Sequence, residues 1–442
     1  MNSEISWRIK TLIAQRGPVR SREVCQSLEI SQATFSREIR KLKDEVLVIG
    51  KSKNTRYAIR RAPAGVSTEV PVFLIDDKGE ALHAATLHCI AANGFVVESH
   101  SQIFSSGTYD HLPYWLDDLR PSGFLGRLIP RKHRELSFPE DIRLWSADIC
   151  LRYWTLLGWD LIGNILLGEK AYELYQSEIK NPSCQVENDN LPETYNRVAT
   201  EILRLGSAGS SAGGEQPKFL ATSMPDKRPV LVKFSPESDD SLSTRRKDLL
   251  IAEYICHAIL NLLQPGVSAT SKLIISESRY FLEVERFDRD GLKGRRGLLS
   301  LSALDNEFVG SLGNWKEIAL QLLRKGVISE AICNQIIWRY CFGTLIANTD
   351  MHSWNLSFFA EGGKVLELAP VYDMLPMLYA PQHDQIVERT FDPTLPTPQN
   401  REVWKGARHA AVFFWQRVSQ HNLISRAFKE IAVGNLKQIE AL

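Results

Sequence analysis

Residues 348–355, Asn348-Thr349-Asp350-Met351-His352-Ser353-Trp354-Asn355 (NTDMHSWN), decide how this chain is to be read. Asp350 precedes Asn355 with four residues between them, a D-x-x-x-x-N spacing used by loops that catalyse phosphoryl transfer. There the carboxylate orients an attacking hydroxyl and takes its proton, and the amide oxygen ligates magnesium. A carboxylate and a neutral amide suit a hard cation that takes oxygen ligands. The preceding run ICNQIIWRYCFGTLIA (332–347) is apolar at helical spacing and predicts a buried, rigid support. LSFF behind the loop predicts a strand. Taken alone, the spacing also fits a solvated loop in which Asp350 caps a turn.

Working outward, the same chemistry recurs. Downstream, LELAPVYDMLP (366–376) sets Asp373 after an apolar strand, where kinases carry a metal-binding aspartate. Two carboxylates and an amide on adjacent strand ends suit two magnesium ions held against the β- and γ-phosphates of ATP. Upstream, PVLVKFSP (229–236) puts Lys233 inside an apolar strand. Such a lysine can snorkel outward, but the next helix, RRKDLLIAEYICHAIL (245–260), carries Glu253 beside Leu249, Leu250 and Cys256. A glutamate among apolar residues is costly to bury without a cation, and Lys233 is the natural partner. Before the strand, LGSAGSSAGGEQPKFL (205–220) has Gly206, Gly209, Gly213 and Gly214, which let backbone N–H groups crowd a phosphate. Ser207, Ser210 and Ser211 lie in the same loop, as hydroxyls open to self-modification. YFLEVERFDR (280–289) predicts a strand joining two lobes, with Glu285 and Phe287 as adenine contacts. Each element has a plain structural alternative; the order in which they follow one another is that of a kinase.

These residues resemble the HipA family of bacterial Ser/Thr kinases, the toxin halves of certain toxin–antitoxin systems. SAGGEQPKFL (211–220) is similar to that family's S-x-A-G-A-Q-x-K loop, and VERFDR, NTDMHSWN and APVYDMLP are similar to its hinge, catalytic loop and metal segment. The resemblance covers roughly residues 70–442. It implies Asp350 as catalytic base, Asn355 and Asp373 as Mg2+ ligands, and Lys233 as the ATP lysine. It further implies Glu285 and Phe287 beside the adenine, and Ser211 as a self-phosphorylated serine whose modification ejects the loop and switches the enzyme off. The implied substrate is a translation-related protein and the implied partner an antitoxin. Two departures stand out: Gly214 and Pro217 break the loop pattern, and this chain carries a DNA-binding segment of its own.

That segment is residues 1–62. Fourteen Lys/Arg against six Asp/Glu give it a balance of +8, leaving −7 for the rest of a chain whose net charge is +1. A basic segment on an acidic body points to a polyanion partner for the first part alone. Ile5, Ile9, Leu12 and Ile13 predict a helix ended by Gly17-Pro18, and a second helix runs from about Ser21 to Leu28. Ser31 then caps a third, with Phe35, Ile39 and Leu42 on one face and Gln32, Thr34, Ser36, Arg37, Arg40 and Lys41 on the other. VLVIG, KSKN and TRYAIR predict a hairpin with a basic tip bearing Lys51, Lys53 and Arg56. This is the pattern of a winged helix-turn-helix that contacts DNA through Thr34, Arg37, Arg40, Lys41 and Lys53; protein docking is the alternative use.

The expected fold is therefore α+β: a winged helix-turn-helix (1–62), a HipA-like N-terminal subdomain (70–180) and a two-lobed kinase-like catalytic region (190–442). Residues 60–68 and 181–194 read as linkers. Seven scattered cysteines without a C-x-x-C pair argue against a disulfide framework or a zinc site. No apolar run spans a membrane and no secretory h-region opens the chain, so a cytoplasmic location is expected. The leading expectation is an ATP-dependent Ser/Thr protein kinase that restrains growth, a phosphoprotein bound to DNA. Two other classes fit parts of the sequence: a DNA-binding transcriptional regulator with a nucleotide-sensing body, and a metal-dependent nuclease.

Overall fold

The computed structural model describes residues 2–187, 190–206, 216–383 and 385–442. Its first part has three helices, Asn2–Arg16, Ser21–Leu28 and Gln32–Lys41, followed by an antiparallel pair of strands, Val46–Ile49 and Arg56–Ile59. The third helix starts where its cap dictates, with the Ser31 hydroxyl accepting from Thr34 N at 3.1 Å. Ile9, Ile13, Val24, Phe35 and Leu42 form a small core of their own.

This unit is not loosely tethered. Ala91 N donates to Ile59 O at 2.9 Å and Arg61 N to Cys89 O at 2.9 Å, Arg61 pairs with Asp148, and Leu47 and Ala58 pack against Ile90 and Val96. The segment read as a linker at 60–68 is thus pinned, with Pro63 and Val66 buried. Composition alone marks such residues as turn-forming, but it does not show what they lie against.

The middle of the chain is an antiparallel five-stranded sheet, ordered Gly107–Tyr109, Gly94–Ser99, Ala81–Ile90, Glu69–Ile75 and Ile165–Leu167. Helices Ala147–Leu157 and Glu169–Lys180 accompany it, whereas helix Gly123–Lys132 sends Phe124, Leu125 and Leu128 into the core of the sheet described next. Leu144 is exposed, at the end of the short 3-10 turn Ile142–Leu144.

A second five-stranded sheet follows, ordered Ser271–Ile275, Tyr280–Glu285, Arg228–Phe234, Lys218–Ser223 and Gln185–Val186. The last strand comes from the other segment read as a linker, and it pairs in parallel with Lys218–Ser223. Phe219, Val232, Phe234, Phe281 and Tyr195 fill the core beneath. Helix Ser241–Leu263 crosses beside this sheet, capped by Asp240, which accepts from Ser243 N at 2.8 Å.

The remaining lobe is mostly helical: Trp315–Arg324, Glu330–Leu345, Arg401–Gln420 and Arg426–Glu440, with a three-stranded sheet of Leu298–Ser300, Ser357–Glu361 and Lys364–Leu368. One continuous apolar core joins it to the middle sheet and to helix Ser241–Leu263, through Trp154, Leu249, Trp315, Phe342 and Phe414. No helix among the described residues is long and apolar enough to cross a membrane.

Candidate active site

Alternation along Arg228–Phe234 decides where Lys233 points. Val230, Val232 and Phe234 fill the sheet core, and Lys233 enters the opposite side, where it is 5% exposed. Its Nζ donates to Glu253 Oε1 at 2.6 Å and also contacts Asp373 Oδ1. Three chain segments, separated by 20 and 140 residues from Lys233, thus converge on one ammonium group.

The electrostatics follow from burial against pairing. Burial opposes charge on Lys233, and the Asp373 and Glu253 carboxylates overcome it, holding the lysine protonated. Burial likewise opposes ionisation of Asp373, and Lys233 and Lys218 outweigh it, so this carboxyl lies below the usual range. Glu253 is pushed up by burial, against the pull of Lys233. Of the two carboxylates, Asp373 is the firmer anion, because it is the more exposed and Lys218 acts on it more strongly than on Glu253. His257 sits one helical turn beyond Glu253 and is held down to about 3 by burial and then by Lys233, hence neutral. One of its ring nitrogens meets the Ser271 hydroxyl at 3.0 Å.

The loop carrying Asp350 is braced on several sides. Asn348 Oδ1 accepts from Asp350 N at 3.0 Å, and Asn355 Nδ2 donates to Asp350 O at 2.9 Å. That bond engages the amide nitrogen of Asn355, so any ligand atom on this side chain would be Oδ1. Trp315 Nε1 donates to His352 O at 3.0 Å, and the Tyr372 hydroxyl donates to Trp354 O at 2.6 Å. Tyr372 precedes Asp373, so the two segments bearing candidate metal ligands are tied together by one side chain. Ala347 and Asp373 hold left-handed backbone at φ 59° and 50°. Such conformations cost energy, and aspartate tolerates them better than most residues. Burial pushes the Asp350 carboxyl up, with His352 opposing and Asp373 adding to the rise.

Glu285 ends strand Tyr280–Glu285, and Phe287 follows it with its ring 5.7 Å from that of Tyr372 and 6.1 Å from that of Phe359. Lys233, Glu253 and Asp373 are therefore brought together, Asp350 and Asn355 share one loop, and Phe287 reaches that group through Tyr372. Ser211, Gly213 and Gly214 lie outside the described residues. Just after them, Pro217 O accepts from Phe234 N at 3.1 Å, so the proline sits where a sheet needs an acceptor and no donor.

In the N-terminal unit, Arg37, Arg40, Lys41 and Lys53 are exposed and Thr34 is half-buried. Arg37 and Lys41 share the buried Glu38 carboxylate at 3.0 and 2.7 Å, with Ser6 as a third donor. Sequence reasoning missed Tyr372, Trp315, Lys218 and Gly343. A lone glycine inside an apolar helix pattern was the available signal for Gly343; no local pattern marks the tryptophan or the tyrosine.

The mixed α+β architecture of this chain is shared with a solved HipA. The HipA of Shewanella oneidensis, solved with HipB and its operator DNA, superposes with a TM-score of 0.51 over 84% of this chain and 96% of that one, at 18% identity. A model of the HipA-like C-terminal domain matches residues 210–433, and one of the YjjJ-like toxin middle domain matches residues 66–176. Toxin YjjJ of Escherichia coli K12 is 37% identical over 440 residues, 96% of each chain. The chain belongs to the HipA family of toxins.

Proposed function

We propose that this chain is an ATP-dependent Ser/Thr protein kinase that transfers the γ-phosphate to a protein hydroxyl to restrain growth. The observation that carries this reading is the buried Lys233 ammonium held between Glu253 and Asp373. Glu253 would hold the lysine in place for the ATP phosphates, and Gly213 and Gly214 are proposed as further phosphate contacts. Glu285 and Phe287 meet the adenine. Among the described residues no group of three or more His, Cys, Asp or Glu side chains is placed to hold a metal. Magnesium, however, is commonly held by one or two carboxylates together with substrate phosphates. Asp373 and the free Oδ1 of Asn355 fit that donor set, and the ion would neutralise charge developing on the transferred group. Asp350 takes the proton of the attacking hydroxyl, a role favoured by the upward push of burial on its carboxyl.

Ser211 is the proposed site of self-phosphorylation. The protein substrate is proposed to belong to the translation machinery, and the N-terminal unit, read as a winged helix, to grip DNA through Thr34, Arg37, Arg40, Lys41 and Lys53. The Shewanella complex with HipB and operator DNA supports DNA and an antitoxin as partners here. Incubation of the full chain with γ-labelled ATP and magnesium should label the protein and a substrate in lysate. Asp350→Ala should lower transfer by about 10²–10⁴-fold, and Ser211→Ala should remove self-labelling while transfer to substrate persists. Absence of transfer by the wild type would sink the kinase reading. Metal-dependent DNA cleavage that survives Lys233→Ala would put a nuclease in its place.

A further inference from the structure

Arg286 lies between the two proposed adenine contacts, and Asp288 and Arg289 follow the second. Arg286, Asp288 and Arg289 enter a buried ion network with the middle region. Asp160, at the end of the turn Gly158–Asp160, accepts from Arg286 Nη1 at 2.6 Å and from Arg289 Nη2 at 3.0 Å. Asp288 accepts from Arg286 Nη2 at 3.1 Å, Arg289 Nη1 at 2.6 Å and Gly163 N at 2.9 Å. Arg289 donates further to the carbonyls of Leu161 and Gly163, at 2.6 and 2.9 Å. The side chains of Arg286, Asp288 and Arg289 are 9%, 6% and 3% exposed. Arg295 lies alongside, stacked 4.6 Å over Tyr175, with its backbone N–H on Asp76 O and its buried Nη1 without a partner.

Three guanidinium groups face two carboxylates, so the cluster carries excess positive charge in a site that reaches water only at Asp160, whose side chain is 24% exposed. Such a network is poor as a source of stability and strong as a source of fixed geometry, because each member is stranded if another leaves. Bidentate guanidinium–carboxylate contacts also set the orientation of the backbone that bears them. Here that backbone is the segment from Glu285 to Arg289.

We infer that Asp160 of the middle region is a positioning residue for the nucleotide: through Arg286, Asp288 and Arg289 it fixes the hinge so that Glu285 and Phe287 meet the base. The middle region is then part of the nucleotide site without touching the nucleotide. This inference rests on the proposed adenine contacts and adds Asp160, Arg286, Asp288 and Arg289 to them.

The test uses the full chain carrying Asp160→Asn, Asp160→Glu or, as a control in the same middle sheet, Val97→Ala. Direct titration gives Kd for ATP and GTP; transfer assays give KM and kcat. Loss of the charge-assisted pair should weaken ATP binding about tenfold in Asp160→Asn, with KM rising in step and kcat within about twofold of wild type. The preference for ATP over GTP should shrink, which loss of stability alone does not produce. Asp160→Glu should recover most of both, and Val97→Ala should lower the melting temperature with ATP affinity and base preference intact. If Asp160→Asn does not fold, Asp160→Ser, which also removes the carboxylate that accepts from Arg286 and Arg289, decides through the base preference, expected to be reduced. Unchanged affinity and preference in the Asp160 variant that lacks the carboxylate, or an equal loss in Val97→Ala, overturns the inference. A wild type that binds ATP but transfers nothing removes the kinase reading and leaves Asp160 to be judged by Kd. A wild type that binds no ATP removes both.

Discussion

Lys233 is a charge where charge is expensive, and its surroundings make it worth keeping. Glu253 is 2% exposed and has no other cation in contact. Removing the ammonium in Lys233→Met strands two carboxylates, a change that costs about 3–5 kcal/mol for a buried pair. The expected outcome is a lower melting temperature together with loss of phosphoryl transfer. Glu253→Gln should be milder in stability, because Asp373 still neutralises the lysine, yet should raise the KM for ATP. Chemical denaturation alongside transfer kinetics separates these two effects. Glu38 offers a second residue-scale test. Lys41, Ser6 and Arg37 hold its carboxyl down at about 2, against the opposing effect of burial. A carboxyl lowered on folding favours the folded state above its unfolded pKa of roughly 4.3. That support disappears as pH falls from there toward about 2. Hydrogen exchange in the N-terminal helices should therefore speed up on acidification, and Glu38→Gln should flatten the dependence. An unchanged pH profile in that variant would assign the acid response to other groups.

Helix Glu330–Leu345 acts at the next scale, by carrying both chemical loops on one surface. At Gly343 a Cβ would lie 2.2 Å from Met351 Sδ and 3.2 Å from Met374 Sδ. Met351 follows Asp350 and Met374 follows Asp373, so the missing side chain lets both loops close onto the helix. Gly343→Ala gains helix propensity but must push Met351 aside. The expected result is kcat lowered by about tenfold or more, since a small displacement of reacting groups is costly, with a helical signal no weaker than wild type. Full activity in this variant would mean that Met351 yields without moving Asp350. The helix itself was legible from the apolar spacing of ICNQIIWRYCFGTLIA, as was its task of supporting the loop. Gly343 was not, because its reason lies in two methionines that are remote in helical register. The same boundary recurs elsewhere: the start of helix Gln32–Lys41 follows from its Ser31 cap, and the pairing of Lys233 with Glu253 from the cost of burying charge. Tyr372, Trp315 and the Asp160 network depend on tertiary contacts that no local pattern encodes. The segments at 60–68 and 181–194 misled for the same reason, since a turn-rich composition is silent about hydrogen bonds to a neighbouring sheet.

Over the whole molecule, a basic N-terminal unit is fixed to an acidic body rather than swinging from it. The contacts at Ile59–Ala91 and Arg61–Cys89, with the Arg61–Asp148 pair, set its orientation. A rigid mount presents the third helix and the hairpin tip in one direction, while like charge on the body discourages DNA from wrapping further. Binding should then depend on a small, fixed set of phosphates. Affinity should fall steeply with salt, and Arg40→Ala and Lys53→Ala should each weaken binding to any sequence and reduce the salt slope by about 1. Arg37→Ala and Lys41→Ala should do less, because Glu38 already neutralises part of their charge. Arg61→Ala tests the mount separately. It removes a buried guanidinium from the junction without touching the proposed DNA face, so amide exchange should rise across residues 59–68 and 89–91. The salt slope should stay as in wild type, since the phosphate contacts are unchanged, whereas affinity should drop only as far as orientation matters. A changed slope in Arg61→Ala would show instead that DNA reaches past the hairpin onto the junction, and that the acidic body does not limit the footprint.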